Sequence, residues 1–241
     1  IETLVIEKSP ADLSDKENIR TLTLNSYAKK LLDDLGINID YAEIKKINVF
    51  DAEGTGKIDF SSDEINSENL SYVVYFNDLQ SALKRKEKER TLFEEEIKRF
   101  KEDGVNNSCE MLLSKDKKIT SQFIAGCDGR NSNVAKLASL NPISSDYNQT
   151  AITFTAKSSL KDLTIAHQIF SERGIFAIMP LPLNIEESTH TIVWSVDNKR
   201  LQDQEIKEYV QKNISYFERK LKTEITLNSD IISFNLSNHY F

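Results

Sequence analysis

From Gln149 onward the chain is written in strand-length apolar runs. TAITFTAK, AHQIF, GIFAIMPLPL and HTIVWSV follow one another. Successive side chains of a strand point to opposite faces, and runs of this length rich in β-branched and aromatic residues read as strands of a sheet. One helical stripe interrupts them, Ile206, Tyr209, Val210, Ile214 and Phe217 within about residues 203–221, and DIISFNL adds a last strand. The spacing predicts a β-rich, mostly antiparallel region with a single helix. Trp194, on an alternating strand, is expected in its core.

Before residue 123 strands and helices interleave. IETLVIEKSP reads as a short strand ending in Glu7, with Pro10 and Asp12 in a loop. LNSYAKKLLDDLG has apolar residues at helical spacing, Asn25 or Ser26 as N-cap and Gly36 as stop. AEIKKINVFDAEG and GKIDFSS read as strands around a glycine-rich turn, and YVVYF as another. Asn77 or Asp78 is expected to cap a helix from about Leu79, with KRKEKER as a solvated face. Residues 91–103 fit either a helix or a strand pair. CEMLLSKDKKITSQFIAG predicts a hairpin turning at Lys-Asp-Lys-Lys.

The chain of 241 residues allows one large or two small domains. A net charge of −7 disfavours a nucleic-acid partner. No apolar run approaches the roughly 20 residues that a membrane span needs. No signal peptide is expected. Two cysteines, Cys109 and Cys127, and three scattered histidines suggest neither a metal site nor a disulfide framework. A reducing cytoplasm is the expected setting. Cys127 is expected to be a small buried residue, and His190 and His239 incidental.

FIAGCDGRNSNV, residues 123–134, carries the chemistry. Phe123, Ile124 and Ala125 predict a buried strand that runs into Gly126, Asp128 and Gly129. Glycines at a strand end let the backbone approach a ligand, and Asp128 supplies a fixed acceptor. Ser132 can cap a helix that follows. The alternative is a simple Asp-Gly turn. Glu7 at a strand end could hold a ribose diol or be a surface carboxylate.

The order of segments resembles that of the flavin-dependent aromatic hydroxylases, in particular the ubiquinone-biosynthesis branch. LVIEK, IRTLTLNSYAKKLLDDLGI, YVVYFNDLQSAL, FIAGCDGRNSNV and AHQIF…GIFAIMPLPL…TIVWSV follow one another as in that family. Gly126, Asp128, Gly129 and Ser132 match its G-A-D-G-x-x-S pattern, with Cys127 at the Ala position. The resemblance implies an α/β (α+β) fold: a Rossmann-like FAD/NAD(P)-binding domain, incomplete, interleaved with a mostly antiparallel substrate sheet. Residues 1–36 and 76–140 would form the FAD-binding segments, and 40–75 and 148–241 the substrate sheet. Glu7 would hold the adenosine ribose of FAD. Arg20 and Gln80 would lie against the cofactor, and Asp128 and Gly129 would serve both FAD and NAD(P)H. No general base is assigned. The implied reaction hydroxylates a polyprenylated phenol with O2 and NAD(P)H. It would be carried out by a cytoplasmic protein in peripheral contact with the membrane's inner face, beside other ubiquinone-biosynthesis proteins.

The sequence departs from the family in four places. The first G-x-G-x-x-G and the late Gly-Asp motif are not in these residues. Ala135 stands where an Arg usually follows, and Phe76 where an Asn is expected. Three readings stay open: part of a working monooxygenase; a truncated or split-gene, catalytically inactive remnant unable to hold FAD alone, or a subunit completed by another chain; and an NAD-dependent reductase or non-catalytic nucleotide-binding module.

Overall fold

The structure is a computed structural model that describes residues 2–11, 19–182, 189–201 and 205–240. Asp12, in the expected loop, and residues 203–204, at the expected start of the last helix, lie outside the described residues. The chain packs into two compact units. One comprises residues 1–15, 84–145 and 237–241; the other comprises 16–83 and 146–236.

In the first unit β1 (Val5–Glu7) pairs in parallel with β7 (Thr91–Phe93), Glu7 standing opposite Phe93. β8 (Ile97–Asp103), β9 (Ser108–Leu113) and β10 (Lys118–Ser121) form an antiparallel meander. The stretch 91–103 therefore resolves as two strands, whose partners are β1 and β9 rather than each other. The β9–β10 hairpin turns through Ser114–Lys117, as the Lys-Asp-Lys-Lys run predicts. Ile97, Met111 and Leu113 form the small core, joined by Ile6, Leu92, Phe100 and Ile124. α3 (Asn133–Leu137) follows the Asp-Gly loop.

The second unit is built on an eight-stranded sheet. Its order is β15 (Ile225–Leu227), β11 (Ile143–Ser158), β14 (His190–Asp197), β13 (Gly174–Pro180), β12 (Ile165–Ser171), β4 (Lys46–Asp51) and β5 (Lys57–Ser61). β16 (Ile232–Tyr240) also pairs with β11. All pairings given are antiparallel except β12 with β4. Phe50, Ile169, Phe176, Trp194 and Ile152 face one another across five strands. They bury against Tyr209, Val210 and Phe217 of α4 (Ile206–Leu221), with Trp194 fully buried. Phe217 stacks on Phe176 with ring centroids 4.1 Å apart.

A smaller sheet of β2 (Thr21–Leu24), β6 (Ser71–Tyr75) and β3 (Ala42–Ile44) packs on the opposite face of the large one. Ala42, Ile44 and Val73 meet Ala166, Ile47 and Met179 there, and the Thr21 hydroxyl donates to that of Thr191 at 3.2 Å. α1 (Ser26–Asp34) is capped as expected: Asn25 accepts from the Ala28 N–H at 2.8 Å. Gly36 closes its far end. α2 (Phe76–Lys86) begins three residues earlier than expected, so Asn77 and Asp78 lie inside its first turn. Phe76 can open it because its N–H is taken by the Arg20 carbonyl at 2.9 Å. Asp78 in the first turn and Lys84, Arg85 and Lys86 in the last complement the helix dipole. No helix among the described residues is long and apolar enough to cross a membrane.

Candidate flavin site

The Asp-Gly loop is held by its own carboxylate. Asp128 Oδ2 accepts from the backbone N–H of Asn133 at 2.6 Å and of Val134 at 3.1 Å, while Oδ1 accepts from the Ser132 hydroxyl. Ser132, in turn, caps α3 through the Ala135 N–H at 3.0 Å. Burial alone would raise the Asp128 pKa, but these donors outweigh it and hold the carboxyl below its usual range. Gly126 sits so close to α3 that a Cβ there would stand 3.1 Å from that of Val134. Gly129 has φ +81° and open space in front of it, a conformation that favours glycine. The loop is an Asp-Gly reversal capped by its own carboxylate, with one close-packed glycine and one open one.

Two expectations here are corrected. Residues 123–127 form no strand, and Phe123 is 70% exposed, because no neighbouring strand among the described residues pairs with them. Only Ile124 joins the core. Cys127 is exposed rather than buried, since the loop turns its side chain outward from that core. Gly126, Gly129 and Ser132 line a cavity of about 880 Å³, which Phe100, Glu102 and Cys109 of the meander also line.

Glu7 ends β1 in the same unit. Its Oε1 accepts from the Ser9 N–H at 2.7 Å and from the Ser9 hydroxyl. Lys84 Nζ reaches the Ser9 hydroxyl at 3.3 Å and the Pro10 carbonyl at 3.1 Å. Partial burial would raise the Glu7 pKa, yet the Ser9 donors and the Lys84 charge bring it below its usual value. The carboxylate is thus ionised at neutral pH, with the Lys8 backbone N–H adding to the donors that hold it so. Ser9 and Lys84 were not singled out from sequence. The Glu-x-Ser spacing is the signal that could have found Ser9, whereas Lys84 is hidden in a charge run.

Arg20 and Gln80 belong to the second unit. The exposed Arg20 guanidinium lies 4.4 Å from the centre of the Phe76 ring, and it has no ion pair among the described residues. Phe76, where the family has an Asn, is therefore a platform for the Arg. Gln80 is half-buried in the second turn of α2.

These residues fit FAD: an ionised carboxylate at a strand end suits a ribose diol, and an open glycine beside a helix start suits close backbone approach. The chain belongs to the FAD-binding domain family, whose model matches residues 1–229. It is 24% identical over 213 residues to the mitochondrial ubiquinone biosynthesis monooxygenase COQ6 of Dictyostelium discoideum, covering 74% of this chain and 42% of the relative. The human COQ6 is 23% identical over 212 residues, with 81% and 43% covered. The chain thus spans less than half the length of these relatives. The flavin-dependent monooxygenase PieE, solved with FAD and substrate, superposes with a TM-score of 0.70 at 12% identity, covering 98% of this chain and 45% of that one. Together these confirm the expected α/β fold, a Rossmann-like FAD-binding layer with a sheet domain.

Proposed function

We propose that this chain forms the ribose-binding and substrate-sheet portion of a FAD-dependent, NAD(P)H-using monooxygenase that hydroxylates the aromatic ring of a ubiquinone precursor. One observation carries the substrate class. On the face of the large sheet away from α4, Ile58, Val49, Gln168, Ala177, Val193 and Thr153 stand side by side across six strands. The small sheet covers the neighbouring row through Ile47, Ala166 and Met179, and Ile58 and Phe60 stay exposed. A shelf of small and aliphatic side chains with one amide suits a flat, apolar ring and a prenyl tail.

In this reading Glu7 accepts from the adenosine ribose, and the Gly126–Gly129 loop approaches the cofactor with its backbone. Arg20 and Gln80 bear on the flavin, and the shelf orients the ring and excludes water from it. Bound FAD, reduced by the nicotinamide, supplies the oxygen activation. No side chain is assigned as general base. The test is NAD(P)H consumption and product analysis with O2 and a short-chain prenylated phenol. A hydroxylated ring supports the reading. FAD uptake with no turnover of any phenol sinks the substrate assignment.

One observation favours the second reading, a remnant or subunit completed by another chain. Among the described residues β1 pairs with β7 alone, and its Leu4 flank and Val5 are exposed. A colourless chain after incubation with FAD and desalting supports this reading. A retained flavin spectrum supports the first.

A further inference from the structure

A second cleft lies far from this chemistry in sequence, on the α4 side of the large sheet. It has about 290 Å³ and is lined by Glu172, Arg173, Arg200, Tyr209, Lys212 and Asn213. Arg173 is fixed on every side. Its carbonyl accepts from Trp194 Nε1 at 2.8 Å, its N–H donates to the Ser171 hydroxyl at 3.1 Å, and its Nε donates to Asn213 Oδ1 at 3.1 Å. Its guanidinium lies 4.0 Å from the centre of the Tyr216 ring. Asn213 is itself oriented by Nδ2 donating to the Tyr209 carbonyl at 2.9 Å. The Tyr209 side chain is buried, and its hydroxyl bonds to no described residue.

No described carboxylate comes within ion-pair distance of Arg173, Arg200 or Lys212. Glu172 is the one carboxylate in the wall; Glu208 stands one turn before Lys212 on α4, and Glu53 accepts from the Tyr216 hydroxyl at 2.8 Å. Three cations against one lining carboxylate leave the cleft positive in a chain of net charge −7. An exposed lysine on a helix is ordinary. A guanidinium immobilised in a cleft with two further unpaired cations is preorganised for an anion, since its fork matches an oxyanion without further loss of side-chain freedom.

We propose that this cleft is a phosphate site, taking the terminal phosphate of a small molecule or of a lipid headgroup. The excess positive charge matches the charge of about −2 that a phosphate monoester carries at neutral pH. Arg173 holds the phosphate with its fork, Arg200 and Lys212 neutralise it, and the Tyr209 hydroxyl donates to it.

Trp194, the sole tryptophan, bonds directly to Arg173 and reports occupancy. Its fluorescence is followed while phosphate, then pyrophosphate, is added to the full chain at constant ionic strength set by chloride. The expected result is a saturable change, weakened at least about tenfold in Arg200→Gln/Lys212→Gln and in Arg173→Lys, which keeps the charge and loses the fork. Arg200→Gln/Lys212→Gln should melt like the parent, and Arg173→Lys should lose only what its Asn213 bond and Tyr216 contact contribute. Co-sedimentation with phosphatidic acid vesicles, against phosphatidylcholine vesicles, separates the sources. Capture that free phosphate reverses assigns a headgroup, and saturation by free phosphate without capture assigns a soluble ligand. Unsaturable response to every probe, or parent-like affinity in both variants, overturns the proposal.

Discussion

Asp128 shows how one side chain can make a loop into a binding element. It accepts from two backbone N–H groups and a hydroxyl within six residues. Asp128→Ala leaves those N–H groups to water and removes the start of α3, at a cost of about 1 kcal/mol by analogy with a lost cap. Because the folded pKa is depressed, this stabilisation is complete above the ordinary carboxylate range and disappears as pH falls through the folded value. The variant should melt slightly lower at neutral pH, and FAD titration should show weaker uptake. Unchanged uptake would remove the loop from the cofactor site. His190 acts with the same sign at higher pH. It is fully buried, with Nδ1 against the hydroxyls of Thr189 and Ser158. Burial, with a smaller push from His167, lowers its pKa from 6.5 to about 4. Unfolding in acid lets it take up a proton that the fold refuses, so stability falls as pH drops from about 6.5 to 4, by about 3 kcal/mol in total. His167, lowered chiefly by its own burial, adds in the same direction, offset in part by Asp162. Melts of the parent and His190→Gln across that range should converge in acid. Parallel curves would count against it.

The elements show why much was legible and some was not. The β12–β13 hairpin has a two-residue turn, Glu172 and Arg173, with Ser171 opposite Gly174. Gly174 has φ +105°, and a Cβ there would stand 2.1 Å from the Ser195 carbonyl oxygen of the adjoining strand. Gly174→Ala therefore combines a left-handed penalty with a backbone clash, on the order of 3 kcal/mol or more. Gly104→Ala, with nothing within 4 Å, is the control and should be near neutral in the same melts. If both are neutral, the turn relaxes and the clash carries no cost. Strands whose faces differ in burial were read correctly, because alternation encodes that difference: β13 alternates half-buried and buried from Ile175 to Pro180. α1 was legible through Asn25 and Gly36, which act locally. FIAG was misread because four apolar residues say only that something should cover them, not that a described strand does. The start of α2 was missed because its first N–H is satisfied by Arg20, more than fifty residues away in sequence. The phosphate cleft gave no sequence signal, since Arg173, Arg200 and Lys212 are separated in the chain and gathered by a turn and a helix.

At the scale of the whole chain, the two units differ in what holds them. The second buries an aromatic core under α4, with Trp194, Phe154, Phe176 and Phe217 all fully buried. The first has three buried residues at its centre and a two-stranded parallel sheet. Parallel pairs are normally covered on both faces, and two strands alone are marginal. Leu4, Val5, Phe123, Leu140 and Ile143 of that unit are all at least 40% exposed. Exposed apolar side chains gathered in one small unit bind apolar dyes and other copies of the chain where they are contiguous. The 241-residue chain should bind an apolar dye and self-associate as its concentration rises. Limited proteolysis should cut within residues 84–145 before it cuts the sheet of residues 149–197, because opening is easiest where few apolar contacts must be broken. FAD sharpens the expectation. A ligand held by Glu7 and the Asp128 loop stabilises only states in which both are folded, by about 2.7 kcal/mol at a hundredfold excess over its dissociation constant. Early cuts in 84–145 should therefore slow by up to about a hundredfold with FAD, while cuts in the large sheet change little. First cleavage within 149–197, or equal protection of both regions, would mean that the weakness lies elsewhere and that the flavin is not held by this unit.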